Sequence, residues 1–170
     1  VIHKWCTLQE MFLTQLHEKT KAVLTFEDSD YYTTLTALEE HLDWLPQNID
    51  SSIVAKSIST IKAKYCGKKV EFCACHGDFT PWNMFANGKE LFVFDFEYAG
   101  VSYPAGLDRY HFFTQTAVFE KHWGDDEIIA YAGSSEGKWI DRQMYAMDLL
   151  DVISRFTMRG GGKVTGNAAK

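Results

Sequence analysis

"CACHGDFTPWNMF", Cys73 to Phe85, sets an acid, an asparagine, a proline and several aromatics into a few residues between two apolar runs. On its N-terminal side, "VEFCACHGD" reads as a short β-type run ending in a polar turn. On its C-terminal side, "ELFVFDFEYAG" reads as a second strand with strict alternation, and the Asn87–Gly88 pair between them favours a tight hairpin turn. From Leu91 to Glu97 the alternation puts Phe92, Phe94 and Phe96 on one face and Val93, Asp95 and Glu97 on the other, so two carboxylates share a face. Asp78 precedes Asn83 by five positions, and Asp95 lies twelve beyond Asn83, across a turn that folds the second strand back. Three oxygen-bearing side chains are therefore predicted to converge.

The flanks read as helices. Leu8, Met11, Phe12 and Leu16 recur at helical spacing between Trp5 and Lys19. "FEDSD" (Phe26 to Asp30) reads as a loop, "YTTLTALEEHLDWL" as a helix stopped near Pro46, and "SSIVAKSISTIKAKY" as another, with Ser51 or Ser52 as N-cap. After the hairpin, "AGLDRYHFFTQTAVFEKHW" and "KWIDRQMYAMDLLDVISRFTMR" return to helical periodicity, and the tail "GGGKVTGNAAK" has no apolar face. Helices, a small hairpin region and helices again do not build a parallel sheet, so the expected class is a mainly helical α+β domain.

The composition, with 46% hydrophobic residues over 170 positions, supports one well-buried core. Seventeen basic against 23 acidic residues give a net charge of −6, which argues against a nucleic-acid partner and for a neutral or cationic small molecule. Cys6, Cys66, Cys73 and Cys75 form no CxxC pair and read as reduced thiols of a cytoplasmic protein. No apolar run reaches membrane-spanning length.

Oxygen donors such as Asn83 and Asp95 suit Mg²⁺, which takes one or two carboxylates together with substrate phosphates. A further acid such as Asp78 can orient a substrate hydroxyl and accept its proton. That is the division of labour in kinase-type phosphoryl transfer.

"HGDFTPWN", "VFDFEYAG" and "PAGLDRYHF" together resemble the aminoglycoside phosphotransferase and choline kinase superfamily: His-Gly-Asp, four residues, Asn, then Asp-x-Glu or Asp-x-Asp. The resemblance is strong from Glu71 to Phe113. It implies a protein-kinase-like large lobe whose small antiparallel hairpin region carries the catalytic and metal-binding loops. It implies Asp78 as catalytic base, His76 and Asp108 as supports of the catalytic loop, Asn83 and Asp95 as Mg²⁺ ligands, and Glu97 as an acid close to the metal. ATP would be the phosphoryl donor and a hydroxylated small molecule the acceptor. In the family a nucleotide-covering lobe precedes this region. Here the 75 residues before His76 read as helices and the chain begins with Val1, so the expectation is a catalytic lobe over residues 1–159 without that N-terminal lobe, and a flexible tail over 160–170.

Other motifs read plainly. "GSSEGKW" (Gly133 to Trp139) has too few residues between its glycines for a phosphate loop and reads as a helix-flanking loop, and "RGGGKVTG" follows a helix without opening one. His111, in an aromatic helix, reads as a core or rim residue, and no histidine has zinc spacing. Pro81 and Trp82 read as stiffening the loop. "FEDSD" and "LEEHLD" read as solvated helix ends, with an anionic pocket wall for an amine-bearing acceptor as the alternative. The expected function is an ATP- and Mg²⁺-dependent small-molecule O-phosphotransferase with an aminoglycoside-, choline- or sugar-like acceptor. The alternative is a non-catalytic kinase-like scaffold or small-molecule-binding module.

Overall fold

A computed structural model describes residues 2–161 of the chain. Among them are six α-helices and two antiparallel sheets, which makes the protein α+β: α1 (Thr7–Thr20), β1 (Ala22–Thr25), α2 (Asp30–Glu40), α3 (Ser51–Tyr65), β2 (Lys69–Cys75), β3 (Met84–Asn87), β4 (Glu90–Val93), β5 (Gly100–Tyr103), α4 (Leu107–Gln115), α5 (Asp125–Ala132) and α6 (Arg142–Gly160).

Local chemistry explains the helix starts. The Ser29 hydroxyl accepts from Tyr32 N–H at 3.1 Å to open α2, and the Asp141 carboxylate accepts from Met144 N–H at 2.9 Å to open α6. Asp50, rather than Ser51 or Ser52, caps α3: its carboxylate takes both the N–H and the hydroxyl of Ser52. Burial follows the helical period. Tyr31, Leu35 and Leu38 of α2 and Val54, Ile58 and Ile61 of α3 point inward at i, i+4 and i+7, and meet Met147 and Leu150 of α6 and Phe72 of β2. Truncating fully buried Leu35 to alanine would cost about 2–5 kcal/mol.

The strands depart from the expected single hairpin region. β2 is the middle of a three-stranded sheet, β1-β2-β5, while β3 and β4 form a separate two-stranded sheet. The loop over residues 76–83 therefore leaves the central strand of one sheet and enters the first strand of another. β1 and β5 have four residues each, too short for alternation to register in the sequence. A register shift between Cys73 and Cys75 bends β2 just before the loop. "FEDSD" is not an open loop: Phe26–Asp28 is a 3-10 turn that drives Phe26 into the core. The Asp30 carboxylate accepts from Val101 and Ser102 N–H, at 3.0 and 3.1 Å, and so pins α2 to β5. In the β3–β4 hairpin Asn87 pairs with Glu90, so the turn residues are Gly88 and Lys89.

The expected strand through Glu97 is overturned. β4 ends at Val93: Phe94 N–H still donates across to Asn83 O at 3.1 Å in the register of the hairpin, and Asp95 then takes a left-handed φ of 64°, which breaks the extended backbone. Asp95 and Glu97 thus sit on an irregular segment, not on one face of a strand. After α4 the chain makes a π-helical turn, Thr116–Glu120, and α5 follows. "GSSEGKW" is a loop. Of the expected tail, Gly160 ends α6 and Gly161 caps it; residues 162–170 lie outside the described residues.

Candidate active site

The loop after β2 is built around a glycine. Gly77 has φ +82°, and a Cβ there would lie 2.2 Å from the Tyr98 carbonyl oxygen, so no other residue fits without moving backbone. The amides on either side of that turn are buried and need acceptors. Asp108, on the first turn of α4, supplies both: Oδ2 accepts from His76 N–H at 2.8 Å and Oδ1 from Gly77 N–H at 2.9 Å. His76 then ties the loop to its neighbour. Its Nδ1 accepts from Asp78 N–H at 3.2 Å, which leaves Nε2–H to donate to Phe94 O at 2.9 Å.

Asp78 presents both carboxylate oxygens to partners. Oδ1 lies 3.0 Å from His111 Nε2, and Oδ2 accepts from Asn83 Nδ2 at 2.8 Å. Burial alone would push the carboxyl pKa up, but the bonds and charge of His111, the bond from Asn83 and the positive Arg155 outweigh it and hold Asp78 below the usual carboxylate range. Asp78 is therefore ionised at neutral pH. Asn83 spends its amide nitrogen on Asp78, donating also to the Asp78 carbonyl at 3.1 Å, so the amide oxygen is the group left over.

His111, expected as a core or rim residue, is buried as expected, and its contact with Asp78 is what the sequence did not show. It lies one turn after Asp108 on the same helix stripe, so the helix that holds the loop backbone at Asp108 also reaches the Asp78 side chain. That i, i+3 relation to a loop-binding acid was the available signal.

A cavity of about 220 Å³ opens on Asp78 and His111. Trp82, Tyr98 and Phe156 wall it, Glu97 borders it, and Arg155 and Arg159 of α6 reach it. The two guanidinium groups lie 5.3 and 5.9 Å from the Tyr98 ring, and Arg155 is paired with buried Asp151 at 3.0 Å. Arg159 also donates to the Tyr98 hydroxyl. Asp78, Asn83, His76, Asp108 and His111 are thus joined by direct hydrogen bonds. Asp95 is joined only through its chain neighbour Phe94, whose backbone bonds both Asn83 and His76, and its side chain is exposed, as is that of Glu97.

No group of three or more His, Cys, Asp or Glu side chains able to hold a metal ion occurs among the described residues. The donor set nevertheless fits Mg²⁺: the spare amide oxygen of Asn83 and the open carboxylate of Asp95 are hard oxygen ligands, few in number, as a magnesium site shared with phosphates requires.

The sequence model of the phosphotransferase enzyme family matches residues 7–106, more than half of the chain, from α1 through β5 and including Asp78, Asn83 and Asp95. The chain belongs to this family. No curated protein matches it, and neither does any solved structure.

Proposed function

We propose that the chain is the catalytic lobe of an ATP- and Mg²⁺-dependent small-molecule O-phosphotransferase, which moves the γ-phosphate to a hydroxyl of an aminoglycoside-, choline- or sugar-like acceptor. The observation that carries the reading is Asp78: an ionised carboxylate, held at both oxygens, at the inner end of a cleft large enough for a small molecule. A hydroxyl entering that cleft is oriented by Asp78, which accepts its proton as the new O–P bond forms. His111 and Asn83 keep the carboxylate from rotating away. Asn83 and Asp95 are the residues that would hold Mg²⁺, which when bound neutralises phosphate charge. A cytoplasmic location suits an ATP-dependent enzyme with four free cysteines; no described helix is long and apolar enough to cross a membrane.

The test is a Mn²⁺ titration with and without ATP, with Asp95→Asn as control. ATP-dependent metal binding that the substitution abolishes supports the reading, and transfer from labelled ATP to a panel of hydroxylated acceptors follows. Metal binding that ignores both ATP and Asp95, in this chain and in the longest form of the protein, would sink it and leave a non-catalytic binding module.

A further inference from the structure

A second cavity, of about 320 Å³, lies on a different side of α4 from the Asp78 cleft. Asp108, His111 and Gln115 form the stripe of α4 that turns to the catalytic loop and its cleft. Arg109, Phe112, Phe113 and Thr116 form the adjacent stripe, at i, i+3, i+4 and i+7, and it lines the second cavity. The two cavities share no lining residue.

Its walls are aromatic and the walls are built, not accidental. Trp5 packs edge-on against Phe112 at 5.4 Å, and Phe113 stacks on Tyr131 at 5.2 Å and meets Trp139 edge-on at 5.5 Å. Trp139 is brought there by the "GSSEGKW" loop. A Cβ on Gly137 would lie 2.0 Å from the Tyr131 carbonyl oxygen, and it is this close approach that lays the loop on the end of α5. Trp139 Nε1–H then donates to the Tyr131 hydroxyl at 3.4 Å.

The charge lining this cavity runs against the rest of the molecule. In a chain of net charge −6 it is bordered by His3, Lys4, Arg109 and Lys121 and by no acidic residue. Two carboxylates stand nearby. Glu120 pairs with His3, and Glu10 forms an ion pair with Arg109 Nη1 at 3.8 Å, too long for a hydrogen bond, while the same oxygen accepts from Trp5 Nε1–H at 3.0 Å. The Arg109 guanidinium lies 4.4 Å from the Trp139 ring centre and 5.3 Å from that of Trp5. Held between two indoles, a guanidinium keeps its N–H donors in place to meet the oxygens of a phosphate, sulfonate or carboxylate.

From this combination we infer that the cavity is a binding site for a flat, anionic ligand: an aromatic or heteroaromatic ring that lies among Trp5, Phe113 and Trp139 and carries an acidic group toward Arg109 and Lys121. The inference does not depend on the phosphotransferase reading.

Naphthalene-1-sulfonate, which has neither a hydroxyl to phosphorylate nor a phosphate to give, is the probe, titrated into the chain by calorimetry at neutral pH alongside neutral naphthalene-1-methanol and the 1-naphthylmethylammonium cation. The expected result is single-site binding of the sulfonate at least about tenfold tighter than either analogue. Arg109→Gln and, independently, the exposed-site variant Lys121→Gln each weaken the sulfonate, while Arg159→Gln and Asp78→Asn bind it as the wild type does. Equal affinity for the three probes overturns the proposal, as does undiminished binding by both Arg109→Gln and Lys121→Gln. Loss of binding on Arg159→Gln instead places the probe in the catalytic cleft and overturns it equally.

Discussion

From His76 to Asn83 most polar groups have partners, the buried Thr80 hydroxyl excepted: two loop amides on Asp108, one on His76, and the Asp78 carboxylate between His111 and Asn83. From Phe94 to Glu97 the backbone is held at Phe94 and at the carbonyl of Phe96, whose ring packs edge-on against His76, but the carboxylates of Asp95 and Glu97 stand in the open. The two stretches lie side by side, and the contrast suits a division of labour. On the proposed reading Asp78 is a base that must wait in one orientation, and its geometry is fixed before anything arrives. On the same reading Asp95 would take up a hydrated cation and gain its order on binding.

The largest test of that contrast is Asp78→Asn. Turnover in labelled-ATP transfer should fall on the order of 100- to 10,000-fold. Replacing Asp108 by alanine removes the acceptor for two buried amides; urea unfolding should show a loss of about 3 kcal/mol, with the catalytic loop released. If Asp108→Ala proves as stable as the wild type, the loop is not held as described.

His111→Leu is a finer probe. Asp78 in the folded protein titrates below its unfolded value of about 3.9, so its contribution to stability is complete above that value and is lost as pH falls through the folded pKa. Without His111, burial is opposed only by Asn83 and Arg155, and the Asp78 pKa rises. The acid limb of the turnover profile should therefore move to higher pH, and acid unfolding should begin at higher pH as well. An acid limb that stays in place would mean that His111 does not set the charge of Asp78. The smallest effect is expected for the open segment: Asp95→Asn and Glu97→Gln should each leave stability within about 0.5 kcal/mol of the wild type, since asparagine tolerates the left-handed backbone at position 95 and neither carboxylate is tied down. A larger loss in thermal melts would show that this segment, too, is preorganised.

The two stretches were also unequally legible in the sequence. The residues of the fixed loop could be read because spacing within a short loop translates directly into proximity: Asp78 and Asn83 are five apart and they touch. The helices were legible for a similar reason, as in α2, where Leu35 and Leu38 fall inward at the helical period. Asp95 and Glu97 misled because their alternation with Phe94 and Phe96 imitates a strand, whereas the left-handed backbone at Asp95, which the alternation does not announce, ends the strand first. β1 and β5 exist because β2 needs partners on both edges, a requirement set by the sheet and not by four-residue segments. His111 went unread because nothing in "RYHFF" says which way the helix will turn; only the docking of Asp108 on the loop fixes that.

Gly77 bears on how loss of activity would be written in a chain of this kind. Its missing side chain is demanded by the Tyr98 carbonyl and by a positive φ, not by any step of phosphoryl transfer. A lineage that abandoned catalysis would still have to keep that glycine, and Asp108 with it, in order to fold. Asp78 and Asp95 would be free to drift. On the proposed reading such a lineage would still display most of its loop motif, and those two carboxylates, together with Asn83, would report whether the chemistry had survived.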